Sequence, residues 1–217
     1  MTPDEARVLG VLIEKATTTP EQYPLSLNAV VNGSNQKNNR APVLGMDDNQ
    51  CFRALESLRT RGLVVRVDLA GGRVDKFRHN AGEVLHVRPA ELAILAELLL
   101  RGPQTLGELR GRASRMCEME SLEVTRQMLE LLIQRTEPLA RQIAPSPGSR
   151  AERYVQLLCP DLHPLDAVAT TTPSTAPSSG LAERVEQLES QVDSLRSALR
   201  RLAQSLGEAD PFAETQG

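Results

Sequence analysis

The chain has 217 residues, of which 40% are hydrophobic and 24% are charged, a composition typical of a water-soluble globular protein. Its net charge is −3, and residues 1–163 carry 21 Lys and Arg against 20 Asp and Glu, so the body is nearly neutral and argues against a strongly basic nucleic-acid binder. No apolar run approaches the roughly 20 residues that cross a bilayer, and the acidic start lacks the apolar segment of a signal peptide. We therefore expect a cytoplasmic protein without membrane contact.

One pattern occurs twice along the chain. Pro3–Lys15 is similar to Pro89–Arg101, and Arg73–Phe77 is similar to Arg150–Tyr154, in the same order. The first pair is 86 positions apart and the second is 77 apart, so the first copy holds about nine extra residues. Two matches in the same order predict one structural unit used twice.

The first copy predicts three helices followed by a hairpin. Apolar residues at helical spacing predict helices over Pro3–Lys15 and Leu25–Gly33. A third helix begins at Asp47, which can form a capping box with Gln50, and ends at Gly62. The segments 63–68 and 74–78 flank two glycines and predict the strands of the hairpin.

The second copy repeats this order. Glu91–Arg101 is its first helix, Thr105 opens the second helix with a capping box to Glu108, and Ser121 caps the third. Two strands follow, at 139–144 and 150–157. The inner faces of the helices of both copies are predicted to carry Val8, Leu9, Phe52, Leu55, Leu58, Ile94, Leu95, Val124, Met128, Leu131 and Leu132.

Three helices and a two-stranded wing make up the winged-helix arrangement. We therefore predict a mainly α protein with small β-hairpins (α+β), with tandem winged-helix domains at 1–82 and 83–163. Residues 164–180 are rich in Pro, Ser and Thr and predict a disordered linker.

A heptad pattern over 181–207 predicts a C-terminal coiled-coil helix, followed by a disordered tail at 208–217. Leu at every d position and Val at half of the a positions favour a parallel two-stranded coil, and thus a homodimer. The alternative is a single amphipathic helix that packs on its own chain. The predicted coiled-coil core comprises Leu181, Val185, Leu188, Val192, Leu195, Leu199, Leu202 and Leu206.

Three segments together are similar to the YceH-like family of uncharacterised bacterial proteins. They are Thr19–Ser26, Asn35–Val43 and Leu100–Met116. The resemblance covers most of residues 1–158 and implies a tandem winged-helix fold. It implies no activity, and it does not extend to the linker and the heptad segment.

Residues of the first copy suggest contacts with duplex DNA. Asn49, Gln50 and Arg53 on the third helix are side chains that can read base edges, while Arg and Lys of the wing suit phosphates. Asp47 and Asp48 oppose this function because carboxylates repel the DNA backbone. The wing offers Arg66, Arg73, Lys76, Arg78 and His79.

Two further groups of cations could bind phosphate or an acidic partner. Lys37 and Arg40 lie in the amide-rich loop that contains the nine extra residues, and the alternative is a purely structural loop. Arg110, Arg112 and Arg115 lie on or just after the second helix of copy two, where pairing with Glu108, Glu118 and Glu120 is the alternative. Glu118, Glu120 and Glu123 also make copy two a poor DNA reader.

Catalytic and metal-binding patterns are missing from the sequence. His79, His86 and His163 have no Ser or Cys partner at motif spacing, and the three cysteines are far apart. We expect no enzyme activity and no cofactor. Two functions remain: a DNA-associated protein resembling a transcription regulator, or a protein-interaction adaptor that does not bind DNA.

Overall fold

A computed structural model of the chain describes residues 1–67 and 74–164. The chain divides into two compact units, Met1–Pro164 and Leu165–Gly217. Within the described residues the first unit contains seven α-helices and two small antiparallel sheets, which confirms the predicted α+β class. The predicted coiled-coil helix with its heptad residues, the tail, and the linker beyond Pro164 lie outside the described residues.

The first repeat follows the predicted order, with helix ends set by local side chains. Ser26 accepts a hydrogen bond from the backbone N–H of Ala29, and Asp47 forms the predicted capping box with Gln50. Gly62 has a φ of +72°, the left-handed conformation that suits the end of a helix. The elements are α1 (Pro3–Thr18), β1 (Leu25–Ser26), α2 (Leu27–Ser34), α3 (Asp48–Thr60), β2 (Val64–Val67) and β3 (Lys76–His79).

The second repeat has the same succession of elements. Thr105 and Glu108 form the predicted capping box, and the Ser121 hydroxyl accepts from the backbone N–H of Val124. A short helix that the sequence did not predict, α4 (Ala81–Val84), precedes it. The elements are α5 (Pro89–Arg101), β4 (Gln104–Thr105), α6 (Leu106–Ala113), α7 (Leu122–Ile133), β5 (Ala140–Ile143) and β6 (Arg153–Gln156).

Each hairpin gains a third strand from the segment that precedes the second helix of its repeat. The strand orders are β1-β3-β2 and β4-β6-β5. Leu25 pairs with Phe77 in one sheet, and Gln104 pairs with Tyr154 in the other. These two-residue strands were not predicted, because two residues are too few for an alternating pattern.

One apolar core extends across both repeats. Val8, Leu9, Ile94 and Leu95 are fully buried, as predicted. Helix α1 packs against α5, and a Cβ added at Gly10 would lie 3.0 Å from a side-chain carbon of Leu100, so the two backbones approach closely there. The two repeats therefore form a single compact unit.

Two predicted core residues are instead exposed. Phe52 is 42% exposed and Leu131 is 47% exposed, so placing them on inner faces was wrong. Each lies at the border of the apolar stripe of its helix, where the neighbouring elements do not cover it. Leu55, Leu58 and Leu132 of the same helices are fully buried.

The loop that holds the extra residues lies between α2 and α3 and contacts the second repeat. Its ends are closed by Asn35, whose amide both donates to the carbonyl of Met46 (2.7 Å) and accepts from the Met46 N–H (2.8 Å). The Ala41 N–H donates to the carbonyl of Leu100 at 2.8 Å. A ring nitrogen of His163 lies 2.6 Å from the carbonyl oxygen of Ala41. Hydrogen bonds from residues of both repeats to the backbone of the loop therefore hold it in place.

Gly102 gives a stability prediction of its own. Its φ is +76°, and an added Cβ would lie 2.6 Å from the imidazole of His163. We expect Gly102→Ala to lower the free energy of unfolding by at least about 1–2 kcal/mol, since a left-handed conformation costs an L-residue about that much. Chemical denaturation measures the change.

The matched control for this prediction is Gly107→Ala in α6. No atom lies within 4 Å of a Cβ added at Gly107. Alanine is favoured over glycine in a helix by about 0.5–1 kcal/mol, so this variant should be neutral or more stable. A loss of the same size in both variants would contradict the argument.

Candidate functional site

The outward side of α3 is the most distinctive surface of the first repeat. We call this surface the α3 face. It consists of the half-buried Glu56 and four exposed residues, Asn49, Phe52, Arg53 and Arg59. Asn49, Phe52 and Arg53 are spaced i, i+3 and i+4, so they lie side by side on consecutive turns. They occupy the N-terminal half of the helix.

Charges on the α3 face are partly neutralised within it. The Arg59 guanidinium donates to the Glu56 carboxylate at 2.8 Å. That hydrogen bond and the charges of Arg59 and Arg66 hold the pKa of Glu56 below its usual value. Arg53 makes no ion pair with any described residue, and it is exposed at the centre of the face.

The wing carries further cations. Phe77 is buried, so the alternation of the strand directs its neighbours Lys76 and Arg78 to the opposite side. Arg66 on β2 forms an ion pair with Asp75 at 2.6 Å. The predicted contact residue Arg73 lies outside the described residues.

Two other residues predicted to bind DNA or a partner have different surroundings. Gln50 is half-buried, and its side-chain oxygen accepts from the Asp47 N–H in the capping box, so it serves the helix terminus. Lys37 is exposed at the outer side of the loop. Of the predicted residues of α3, Asn49 and Arg53 are thus free to contact a partner.

Arg40 is buried, which contradicts the prediction that it binds phosphate or an acidic partner. It is 6% exposed, and its guanidinium forms an ion pair with Glu14 on α1 at 2.5 Å. It also donates to the carbonyl of Gly33 and to the Gln36 side chain. With these contacts the residue belongs to the interior, not to a binding surface.

The Glu14 carboxylate is the centre of a larger group that we call the inner charge cluster. Its members are Glu14, Arg40, Glu97, Arg101 and Arg115. Arg115 reaches Glu14 at 2.5 Å and Glu97 at 2.6 Å, and Arg101 approaches the other oxygen of Glu97 at 2.9 Å. The side chains of Glu14 and Glu97 are 2% and 0% exposed. The cluster links α1, the loop, α5 and the end of α6, and so crosses between the repeats.

Arg110 and Arg112 of α6, the other two cations of the predicted group, are engaged locally. Arg110 donates to the backbone carbonyls of Met119 and Glu120, and Arg112 forms an ion pair with Glu108 at 3.2 Å. Arg112 also donates to the side chain of Gln104 at 2.7 Å. The pair between Arg112 and Glu108 is one that the alternative of local pairing named. Arg110 binds backbone carbonyls instead of Glu118 or Glu120, and Arg115 pairs with Glu14 and Glu97.

The corresponding face of the second repeat has a different chemistry. The outward side of α7 exposes Glu123, Arg126, Gln127, Glu130 and Leu131. Arg126 lies 3.7 Å from the Glu123 carboxylate, and Glu130 adds a second negative charge to the same side. This face is mixed and partly acidic, as the sequence indicated.

The described parts of the chain contain neither a group of side chains that could hold a metal ion nor a helix that could span a membrane. Across 1–67 and 74–164 no three His, Cys, Asp or Glu side chains lie close enough together to hold a metal ion. No helix in the same residues is both long and apolar enough to cross a bilayer.

The inner charge cluster was not predicted, although the sequence contains a signal for its two buried carboxylates. Glu14 and Glu97 each interrupt an apolar run of a helix, in Val11-Leu12-Ile13-Glu14 and Ala96-Glu97-Leu98. A carboxylate within such a run indicates a buried, paired charge. The partner cations could not be named from the chain, because Arg40 and Arg115 are 26 and 101 residues away from Glu14.

Comparison with known proteins finds relatives along most of the chain. Residues 1–149 match a family described as "Protein of unknown function, DUF480". A UPF0502 protein of Pelobacter propionicus is 48% identical over 204 residues, 91% of each chain. One of Citrifermentans bemidjiense is 52% identical over 165 residues, 75% of this chain and 76% of the relative. A third, of Hahella chejuensis, is 41% identical over 211 residues, 92% of this chain and 95% of the relative. The matches agree with the expected resemblance to uncharacterised bacterial proteins, while the YceH-like name stays a prediction.

Proposed function

We propose that this chain, which belongs to the DUF480 family whose relatives are named UPF0502, binds duplex DNA through its first repeat. In this proposal each repeat is a winged helix, and α3 enters the major groove while the β2–β3 hairpin lies along the phosphate backbone. Binding would involve no catalysis and no cofactor. Pairing of two copies through residues 181–207 remains part of the proposal.

The observation that carries the proposal is the trio Asn49, Phe52 and Arg53. All three are exposed and adjacent on the N-terminal half of α3, the part of a recognition helix that contacts base edges. Asn can bind adenine with two hydrogen bonds, Arg can do the same with guanine, and Phe can contact the methyl group of thymine. One helix face therefore presents three different means of base recognition.

Acidic side chains on and near α3 limit the affinity that we expect for DNA. Asp47 and Asp48 at the start of α3 oppose phosphates, and Glu56 neutralises Arg59. The wing cations Lys76 and Arg78 supply the electrostatic attraction. We therefore propose modest non-specific binding, with sequence preference supplied by the base-reading trio.

Titration of a labelled mixed-sequence duplex with the full chain tests the proposal. With about three phosphate contacts, the affinity should fall about 40-fold between about 50 mM and about 200 mM salt. Fluorescence anisotropy at the two salt concentrations measures this change. A chain that shows no binding, or binding without salt dependence, would overturn the proposal.

Substitutions on α3 should change the affinity in opposite directions. Arg53→Ala should weaken binding by about 1–3 kcal/mol, and Asn49→Ala should weaken binding to a selected site. Asp48→Asn should strengthen binding because it removes a repulsive charge. The matched control is Arg126→Ala on α7, a cation of the same type whose side chain is 49% exposed. Equal losses in Arg53→Ala and Arg126→Ala would contradict a specific role for α3.

A protein-interaction adaptor is the second candidate, and the α7 face favours it. Leu131 is 47% exposed among Glu123, Arg126 and Glu130, which suits a protein surface better than a DNA groove. Partners retained from a nuclease-treated lysate, and lost in the variant Leu131→Ser, would support this function. Loss of every partner after nuclease treatment would favour DNA binding.

A further inference from the structure

We propose that a pocket between the two repeats binds a small, uncharged aromatic molecule that carries one hydroxyl or ring N–H group. The pocket is lined by Ile13 of α1 and His79 of β3 from the first repeat. Leu92 of α5, together with Met116 and Cys117 after α6, completes it from the second. The inference is independent of DNA binding.

The size and lining of the pocket select the ligand class. Its volume is about 280 Å³. An apolar cavity of about 150 Å³ binds benzene, so this pocket has room for a ring system somewhat larger than a single ring. Its other lining residues are mostly aliphatic, and no Lys, Arg, Asp or Glu lies among the described residues that line it. A charged ligand would lose its hydration there without gaining an ion pair.

His79 supplies the polar contact. Burial, and then the charge of Arg78, lower the pKa of its imidazole and so favour the neutral form of the ring. The imidazole lines the pocket. Its Nδ1 has no hydrogen-bond partner among the described residues but is covered by protein atoms, so a ligand reaches that atom only after a small movement of its surroundings. The His79 backbone N–H donates to the Tyr23 hydroxyl, and no described residue forms a hydrogen bond that would fix the tautomer of the ring. The neutral imidazole can therefore offer either a donor or an acceptor to a ligand.

Cys117 provides a reporter inside the pocket. The chain has three cysteines, and Cys51 and Cys159 are fully buried. Burial raises the pKa of the Cys51 thiol to about 11 and also raises that of Cys159, so both are poor nucleophiles at neutral pH. Cys117 is only half-buried and is the thiol that a small reagent should modify first.

The experiment follows the modification of Cys117 in the folded, full-length protein. Methyl methanethiosulfonate is the reagent, mass spectrometry gives the rate constant, and indole is the probe ligand. We expect indole to slow the reaction several-fold with saturable dependence on its concentration. Benzoate, an anion of comparable size, should leave the rate unchanged. The proposal is overturned if neither compound protects Cys117, or if both protect it equally.

A variant of the pocket adds a structural check. Ala93 lines the pocket and is 3% exposed, so Ala93→Leu should occupy part of its volume. Circular dichroism establishes that the variant is folded, and protection by indole should then be lost. Undiminished protection in the folded variant would place indole elsewhere and overturn the proposal. If Ala93→Leu does not fold, the comparison of indole with benzoate on the unaltered chain still decides.

Discussion

Replacing Arg40 with Met should lower the free energy of unfolding by about 3–5 kcal/mol, the usual cost of removing one partner from a buried ion pair. The Arg40 side chain is 0% exposed, and its guanidinium donates to both carboxylate oxygens of Glu14. Met fills a similar volume but leaves the Glu14 carboxylate with Arg115 as its remaining cation. The carbonyl of Gly33 also loses its donor. Urea denaturation followed by circular dichroism measures the loss.

The control is the same substitution in an exposed ion pair. Arg59 pairs with Glu56 at 2.8 Å, but its side chain is 50% exposed. Arg59→Met should therefore change the free energy of unfolding little. Adding Glu14→Gln to Arg40→Met removes the stranded charge, so the double variant should lose less than the sum of the two single losses. Additive losses would show that the two side chains do not act as a pair.

Arg40→Met should also weaken the contacts between the repeats. The residue after Arg40, Ala41, is bound through its N–H to Leu100 and through its carbonyl to His163. Arg40 therefore holds the loop in the position from which it contacts the second repeat. Hydrogen exchange of the Ala41 N–H should become faster in Arg40→Met than in Arg59→Met.

Helix ends were predictable because their determinants are local. Asp47 with Gln50 and Thr105 with Glu108 each form a capping box between residues three positions apart, and both occur where the sequence placed them. Ser121 caps α7 by the same short-range chemistry. These contacts depend on neighbours along the chain and do not require the tertiary structure to be known.

Burial at the edge of a helix could not be predicted in the same way. Helical periodicity grouped Phe52 with Leu55 and Leu58, but only the last two of these three are fully buried. Which side of a stripe is covered depends on how α3 sits against α1, and that is a tertiary property. The exposure of Phe52 matters for function, because it adds an aromatic ring to the surface that already held Asn49 and Arg53.

The position of Arg40 shows a second limit. Lys37, Asn38 and Asn39 before it are polar, so local composition grouped Arg40 with Lys37 as a cation that could contact phosphate or a partner. The buried side chain is explained by Glu14, which lies 26 residues earlier on another element. A cation can be assigned to a surface from composition alone only when no distant carboxylate requires it.

Glu14 should make the stability of the protein depend on acid pH. Burial would raise the pKa of its carboxyl, but the hydrogen bonds and charges of Arg40 and Arg115 outweigh burial and hold this pKa below the ordinary value of 4.5. The unfolded chain therefore binds a proton more readily than the folded chain in the acid range, and stability rises with pH there. The stabilisation is fully present above the unfolded pKa and is lost as the pH falls through the folded pKa.

Glu14→Gln removes this titration and isolates its effect. At pH 7 the variant should be less stable by about 3–5 kcal/mol, because Arg40 stays buried without its carboxylate. As the pH falls below about 4.5, wild type loses the contribution of Glu14 and the variant does not, so the difference between them should shrink. Urea denaturation across the range from neutral to acid measures this difference at each pH.

Glu108→Gln is the control for a carboxylate outside the cluster. The pKa of Glu108 is lowered chiefly by hydrogen bonding to Thr105, but its side chain is 44% exposed. The difference between this variant and wild type should therefore be small at every pH. A difference between wild type and Glu14→Gln that stays constant from neutral to acid pH would show that Glu14 does not titrate with folding. The cost of the substitution would then come from lost packing and not from the charge that joins α1 to the loop and to the second repeat.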